Sequence, residues 1–108
     1  MIRRVGLLRK HPDLDSEAFF RHWIEQHAEL ARQVPGLRGY RINRIVGASG
    51  EPSWDGLGEL WFDNPEAAET GLAGASDLAR EIDADLRRFV GERLTFYTEE
   101  HVIIPPPT

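Results

Sequence analysis

Apolar and polar positions divide the chain into alternating strand-like and helix-like segments. Ile2 to Arg9 has strand character and is broken by His11-Pro12-Asp13-Leu14-Asp15, because proline disfavours both a ladder position and a helical predecessor. From Glu17 to Val34 the apolar residues recur at helical spacing, with Ser16 as the expected N-cap and Pro35-Gly36 as the stop. Leu37 to Val46 reads as a second strand, Gly47-Ala48-Ser49-Gly50-Glu51-Pro52 as a surface loop, and Leu57 to Phe62 as a third strand rich in large apolar groups. A helical stretch opens at Asn64-Pro65-Glu66 and is expected to break at Gly71 and Gly74. Asp77 to Val90 forms the main second helix, with Gly91 as its C-terminal cap. Leu94 to Ile104 is the last strand, ahead of a Pro105-Pro106-Pro107-Thr108 tail.

The order βαββαβ predicts an α+β, ferredoxin-like fold, a four-stranded antiparallel sheet with two helices on one face. The opposite face has no cover in a monomer, so burial against a second sheet predicts a homodimer. A length of 108 residues fits one domain, expected over 1–104 with 105–108 as a proline-rich tail.

Composition narrows the partners. Hydrophobic residues make up 41% and charged residues 29%, a globular balance, and a net charge of -5 disfavours nucleic acid or an anionic membrane. The absence of cysteine excludes a disulfide frame, a thiolate nucleophile and Cys-based metal sites. The N-terminus has no signal-peptide pattern, and no apolar run approaches the ~20 residues of a membrane helix. A cytoplasmic protein without a membrane partner is the expectation.

A helical wheel singles out one histidine. Advancing ~100° per residue from Phe20 gathers Trp23, Ile24, His27, Leu30, Ala31 and Val34 into an arc of about 120°. His22 falls on the opposite side, among Gln26, Glu29 and Gln33, roughly 140° from His27. A helical metal pair needs i,i+4 spacing, so these two are not expected to bind one. An inward His27 is either a core residue satisfied by a backbone carbonyl and water, or a proton-transfer group in a pocket walled by Trp23. Partial desolvation would lower its pKa and favour the neutral base.

Tyr40, Asn43, Glu59, Trp61, Phe89 and Tyr97 are further lining candidates, although alternation puts Tyr40 and Asn43 on opposite faces of their strand. Glu59 sits in a strand that is apolar on both faces, which predicts partial burial as a catalytic acid or as the partner of a neighbouring-strand arginine such as Arg41 or Arg4. Asp83 and Asp85 are expected at the rim of the second helix's apolar face.

The arginines from Arg38 to Arg44 invite comparison with RNA-recognition domains of the same element order. The third strand, Gly58-Glu59-Leu60-Trp61-Phe62-Asp63, lacks their basic, glycine-spaced aromatic motif. The Gly47–Gly50 loop is too short and lacks the lysine of a phosphate loop, and no serine sits in a nucleophile elbow.

Three runs together resemble the EthD-like family of dimeric α/β-barrel proteins: Phe20-x-x-Trp23-x-x-x-His27-Ala28-x-Leu30, Pro35-Gly36-Leu37-x-x-Tyr40-x-x-Asn43, and Asp55-Gly56-Leu57-x-Glu59-Leu60-Trp61-Phe62. The resemblance implies two ferredoxin-like monomers pairing sheet to sheet, each with a cavity between sheet and helices. Relatives include cofactor-free isomerases, dehydratases and decarboxylases, and also accessory proteins of degradation operons. It implies His27, Glu59 and Asn43 as catalytic groups, and lacking cysteine this chain departs from any thiol-based isomerase mechanism.

The leading expectation is therefore a cofactor-independent lyase or isomerase acting on a small cyclic or polyketide-like metabolite. His27 would shuttle a proton, while Trp23, Tyr40, Trp61, Phe89 and Tyr97 bind the substrate. The alternatives are a non-catalytic ligand-binding or accessory protein, and a protein that holds haem in the cavity with His27 as the axial ligand, or a cofactor-free monooxygenase.

Overall fold

The computed structural model describes residues 1–51, 54–73 and 76–107. Strand β1 (Ile2–Lys10) leads into helix α1, which is α-helical over Ser16–His22, π-helical over Trp23–His27 and α-helical again over Ala28–Ala31. Strands β2 (Gly39–Arg44) and β3 (Gly56–Phe62) follow, then helices α2 (Pro65–Gly71) and α3 (Asp77–Phe89) and strand β4 (Val90–Glu99). The sheet order is β2-β3-β1-β4 with every neighbour antiparallel, so β3 inserts between the two strands that α1 connects. This is the ferredoxin-like arrangement that the element order predicts.

Several boundaries differ from the pattern reading for local reasons. Asp15, not Ser16, caps α1, its extended backbone letting its carboxylate accept from the Ala18 N–H at 2.8 Å. The helix proper ends at Ala31, and tighter turns through Val34 carry the chain to Gly36, whose φ of 80° reverses its direction. Gly91 does not cap α3. It follows Val90 inside β4, at a register shift opposite Arg9 and Lys10, and a Cβ there would lie 2.8 Å from the Lys10 carbonyl oxygen. β4 ends at Glu99, so Val102 to Ile104 lie beyond the sheet. Gly71 ends α2, while Gly74, Pro52 and Thr108 fall outside the described residues.

Two apolar clusters fill the space between sheet and helices. Leu8, Phe19, Phe20, Trp23 and Phe89 form one, and Val34, Leu60, Phe62 and Ala68 the other. Alternation along β3 turns Gly56, Gly58, Leu60 and Phe62 toward the helices. The two glycines let α1 lie close: a Cβ at Gly56 would come within 3.0 Å of both Phe20 and Trp23, and one at Gly58 within 3.2 Å of Trp23.

Leu57, Glu59 and Trp61 consequently face the other way, as do their cross-strand partners Asn43, Val5, Arg41 and Arg3. On this outer face Glu59 accepts from Asn43 Nδ2 at 2.6 Å and forms an ion pair with Arg3. Its arginine partner is thus Arg3, in place of the Arg41 or Arg4 suggested by strand adjacency. Leu94 and Phe96, 50% and 39% exposed, belong to the same uncovered face.

Candidate functional site

The π-helical turn is what builds the site. Its hydrogen bonds span i→i+5, as in the Ala28 N–H bonding back to the Trp23 carbonyl, so residues five apart come onto one side. His22 and His27 are such a pair. A uniform 3.6-residue wheel sends His22 into solvent, whereas in the structure its side chain is 18% exposed and its ring packs 4.8 Å from Phe89. The same turn leaves Ile24, assigned inward by the wheel, 55% exposed.

Both imidazoles converge on Asp85 from helix α3. His27 Nδ1 lies 2.8 Å from Asp85 Oδ2, and His22 Nε2 lies 2.9 Å from Oδ1. Arg88, one turn along α3, adds a longer contact to Oδ1 at 3.3 Å. Asp85 is therefore buried beneath the α1–α3 contact, not at the rim where the sequence places it. Phe89, fully buried one turn further on, packs against both histidine rings, at 4.8 Å from His22 and 5.1 Å from His27.

Electrostatics define the protonation pattern. Burial alone would raise the Asp85 pKa, but hydrogen bonds from His27 and His22 hold it below the ordinary carboxylate value. An ionised carboxylate only accepts, so the ring nitrogens facing it carry protons. For His27, burial outweighs the attraction of Asp85 and lowers the pKa below 6.5. The result is a neutral imidazole with Nδ1–H held by Asp85 and Nε2 left as an acceptor.

His27 lines a cavity of about 70 Å³ between α1, α3 and the sheet, together with Trp23, Tyr40, Gly58, Leu86 and Arg4. Its floor is a cross-strand glycine pair, Gly6 on β1 opposite Gly58 on β3. At Gly6 the missing side chain leaves open space, a Cβ there meeting only Thr95 Cγ2 at 3.7 Å, whereas at Gly58 the Trp23 indole moves into the place of the missing side chain. Burial pushes the Tyr40 hydroxyl pKa up to about 12, partly offset by a hydrogen bond from the Trp23 indole. Tyr40 thus stays protonated and can donate to a bound oxygen.

The candidates read from the sequence separate onto two faces. His27, Trp23 and Tyr40 line the cavity, and Phe89 backs His27. Glu59, Asn43 and Trp61 lie across the sheet, so the expected pairing of His27 with Glu59 or Asn43 is not formed. Trp61 instead stacks beneath Arg41 at 5.3 Å and donates to Glu100. Tyr97, on the sheet edge, is 48% exposed and outside the cavity lining. The partner that sequence reasoning missed is Asp85, and the pairing it excluded is His22 with His27.

The sequence profile of the EthD domain matches residues 11–93. The chain belongs to the EthD family. A crystal structure of an ethyl tert-butyl ether D (EthD) family protein from Bacillus halodurans is 29% identical, with a TM-score of 0.77 over 94% of this chain and 100% of that one. The fold recurs at 13% identity in an Arabidopsis thaliana protein, with a TM-score of 0.78 over 97% of this chain and 100% of that one. It recurs again in a dimeric ferredoxin-like protein of unknown function from Thermobifida fusca, 17% identical, with a TM-score of 0.69 over 90% and 88% of the two chains. No curated protein matches the chain significantly.

The cavity of about 70 Å³ has no room for a haem macrocycle beneath His27, whereas a smaller molecule can extend from it into the adjoining groove of about 320 Å³. Among the described residues no group of three or more His, Asp or Glu side chains is arranged to hold a metal ion. None of the described helices is long and apolar enough to cross a membrane.

Proposed function

We propose that this EthD protein is a cofactor-independent acid–base catalyst, a lyase or isomerase, for a small cyclic or polyketide-like metabolite with an acidic C–H bond. One observation carries the reading: a buried Asp85 fixes His27 in the Nδ1–H tautomer, beside an apolar cavity. His27 Nε2 takes a proton from carbon, and the imidazolium that forms is stabilised by the Asp85 carboxylate. The electron pair left behind delocalises into a neighbouring carbonyl, whose oxygen meets the Tyr40 hydroxyl. His27 then returns the proton to another carbon, giving isomerisation, or to a leaving group, giving elimination. General acid–base help of this kind contributes about 10²–10⁴-fold, sufficient for an activated carbon.

The uncovered sheet face, with Leu94 and Phe96 exposed beside the Arg3–Glu59–Asn43 network, supports pairing with a second copy as in the dimeric relatives. Sedimentation of Phe96→Glu against the unaltered chain tests this, a dimer-to-monomer shift being expected.

The catalytic reading is tested by following deuterium exchange from solvent into a panel of enolisable lactones and polyketides by NMR. Wild-type protein should label its substrate, and His27→Gln should lose at least 100-fold in rate. Exchange at the wild-type rate in His27→Gln would refute the role. The small, largely apolar cavity also suits a protein that holds a ligand without converting it. Retention of a metabolite with no exchange would favour that second reading.

A further inference from the structure

The geometry points to an anion subsite at the mouth of the His27 cavity, centred on Arg4, so that the ligand is a carboxylate-bearing molecule with an apolar body. This rests on the proposed use of the cavity and adds the chemical class of what enters it.

Arg4 lies on β1, opposite Leu60 of β3 and Tyr97 of β4, with its side chain on the helix face. It lines the cavity beside His27 and also lines the adjoining groove of about 320 Å³ beneath α3, so the residue lies where the two spaces meet. The residue is half-buried, yet among the described residues it makes no hydrogen bond, ion pair or ring contact. In a chain with 18 acidic side chains against 13 lysines and arginines, an inward arginine without a carboxylate is a notable arrangement. A guanidinium has five donors in a planar fork that matches a carboxylate, and partial removal from water makes such a contact stronger.

The surroundings support this placement. Arg93, across on β4, lines the same two spaces and adds positive charge, and among the described residues its only ion pair is a long 3.4 Å contact to Asp83. Asp83 is itself engaged by Arg87 at 2.7 Å, and Asp85 is turned away onto the two histidines. The inner cavity, walled by Trp23, Leu86 and the glycine floor, takes the apolar part, which places its nearest carbon toward His27.

Calorimetric titration with benzoate and with benzamide, which share a ring and differ in charge, isolates the subsite from any turnover. Wild-type protein should bind benzoate about tenfold or more tightly than benzamide, and the preference should shrink as salt is raised. Arg4→Gln should abolish the preference while leaving benzamide binding in place, and Arg4→Lys should keep part of it. Arg41→Gln, on the outer face, should change neither affinity. If Arg4→Gln fails to fold, as judged by circular dichroism, the wild-type preference and the Arg4→Lys series decide the matter. No benzoate preference in wild-type protein, including binding of neither probe, or an undiminished preference in Arg4→Gln, overturns the assignment. Because the readout is binding, failure of the acid–base role of His27 would leave a benzoate preference standing, and loss of that preference would leave His27-dependent exchange standing.

Discussion

His22 and His27 are held by opposite oxygens of one carboxylate, at 2.9 Å and 2.8 Å from Asp85. Five residues apart in the chain, they meet because the helix widens to a π turn between them. Such turns recur at functional sites because they re-aim a side chain without ending the helix. In this protein the turn lets α1 present two imidazoles to a single group on α3.

Asp85→Asn should break this arrangement, since an amide cannot accept from both imidazoles through both of its terminal atoms. A cost of about 1–3 kcal/mol in stability is expected. ¹⁵N NMR of the imidazoles should show His27 losing its fixed Nδ1–H tautomer, and exchange activity should fall about tenfold or more. Retention of the wild-type tautomer would show that the carboxylate does not set it.

The pH response follows from two lowered pKa values. His27 is below 6.5 in the folded state because burial disfavours its charged form. The unfolded chain therefore takes up a proton that the folded chain refuses, and stability declines as pH drops below about 6.5, with no contribution from this group above it. Asp85, lowered from 3.8, contributes stability that is fully present above 3.8 and lost as pH falls through its folded value. Chemical denaturation from pH 8 to pH 3 should show both losses, and His27→Gln should remove the first.

Gly6→Val should fill the cavity without unfolding the sheet. A Cβ at Gly6 meets only Thr95 Cγ2, at 3.7 Å, an ordinary contact, and a β-branched residue suits a strand. The folded variant should have a thermal midpoint within a few degrees of wild type and show no benzoate binding. Unimpaired binding would place the ligand elsewhere.

Glu59→Gln separates the two sheet faces. Removing the charge that meets Arg3 and Asn43 should cost about 1–3 kcal/mol in stability. Exchange catalysed at the His27 cavity should stay within about twofold of wild type, because Glu59 lies across the sheet. A loss comparable to that of His27→Gln would restore Glu59 as a catalytic acid.

The sequence by itself determined the fold, because strand alternation, helical spacing and glycine or proline breaks are local signals that agree with one another from β1 to β4. It also determined that His27 and Trp23 face inward and that Tyr40 and Asn43 part company, since both statements need only the period of their own element. Only the tertiary structure decided the partners. The side of the sheet on which Glu59 lies depends on which face the helices cover, and alternation has no preference between two apolar faces. The burial of Asp85 depends on where α3 crosses α1. The convergence of His22 with His27 depends on one widened turn, invisible to a wheel that assumes 3.6 residues throughout, and favoured in the fold by the carboxylate that both imidazoles reach.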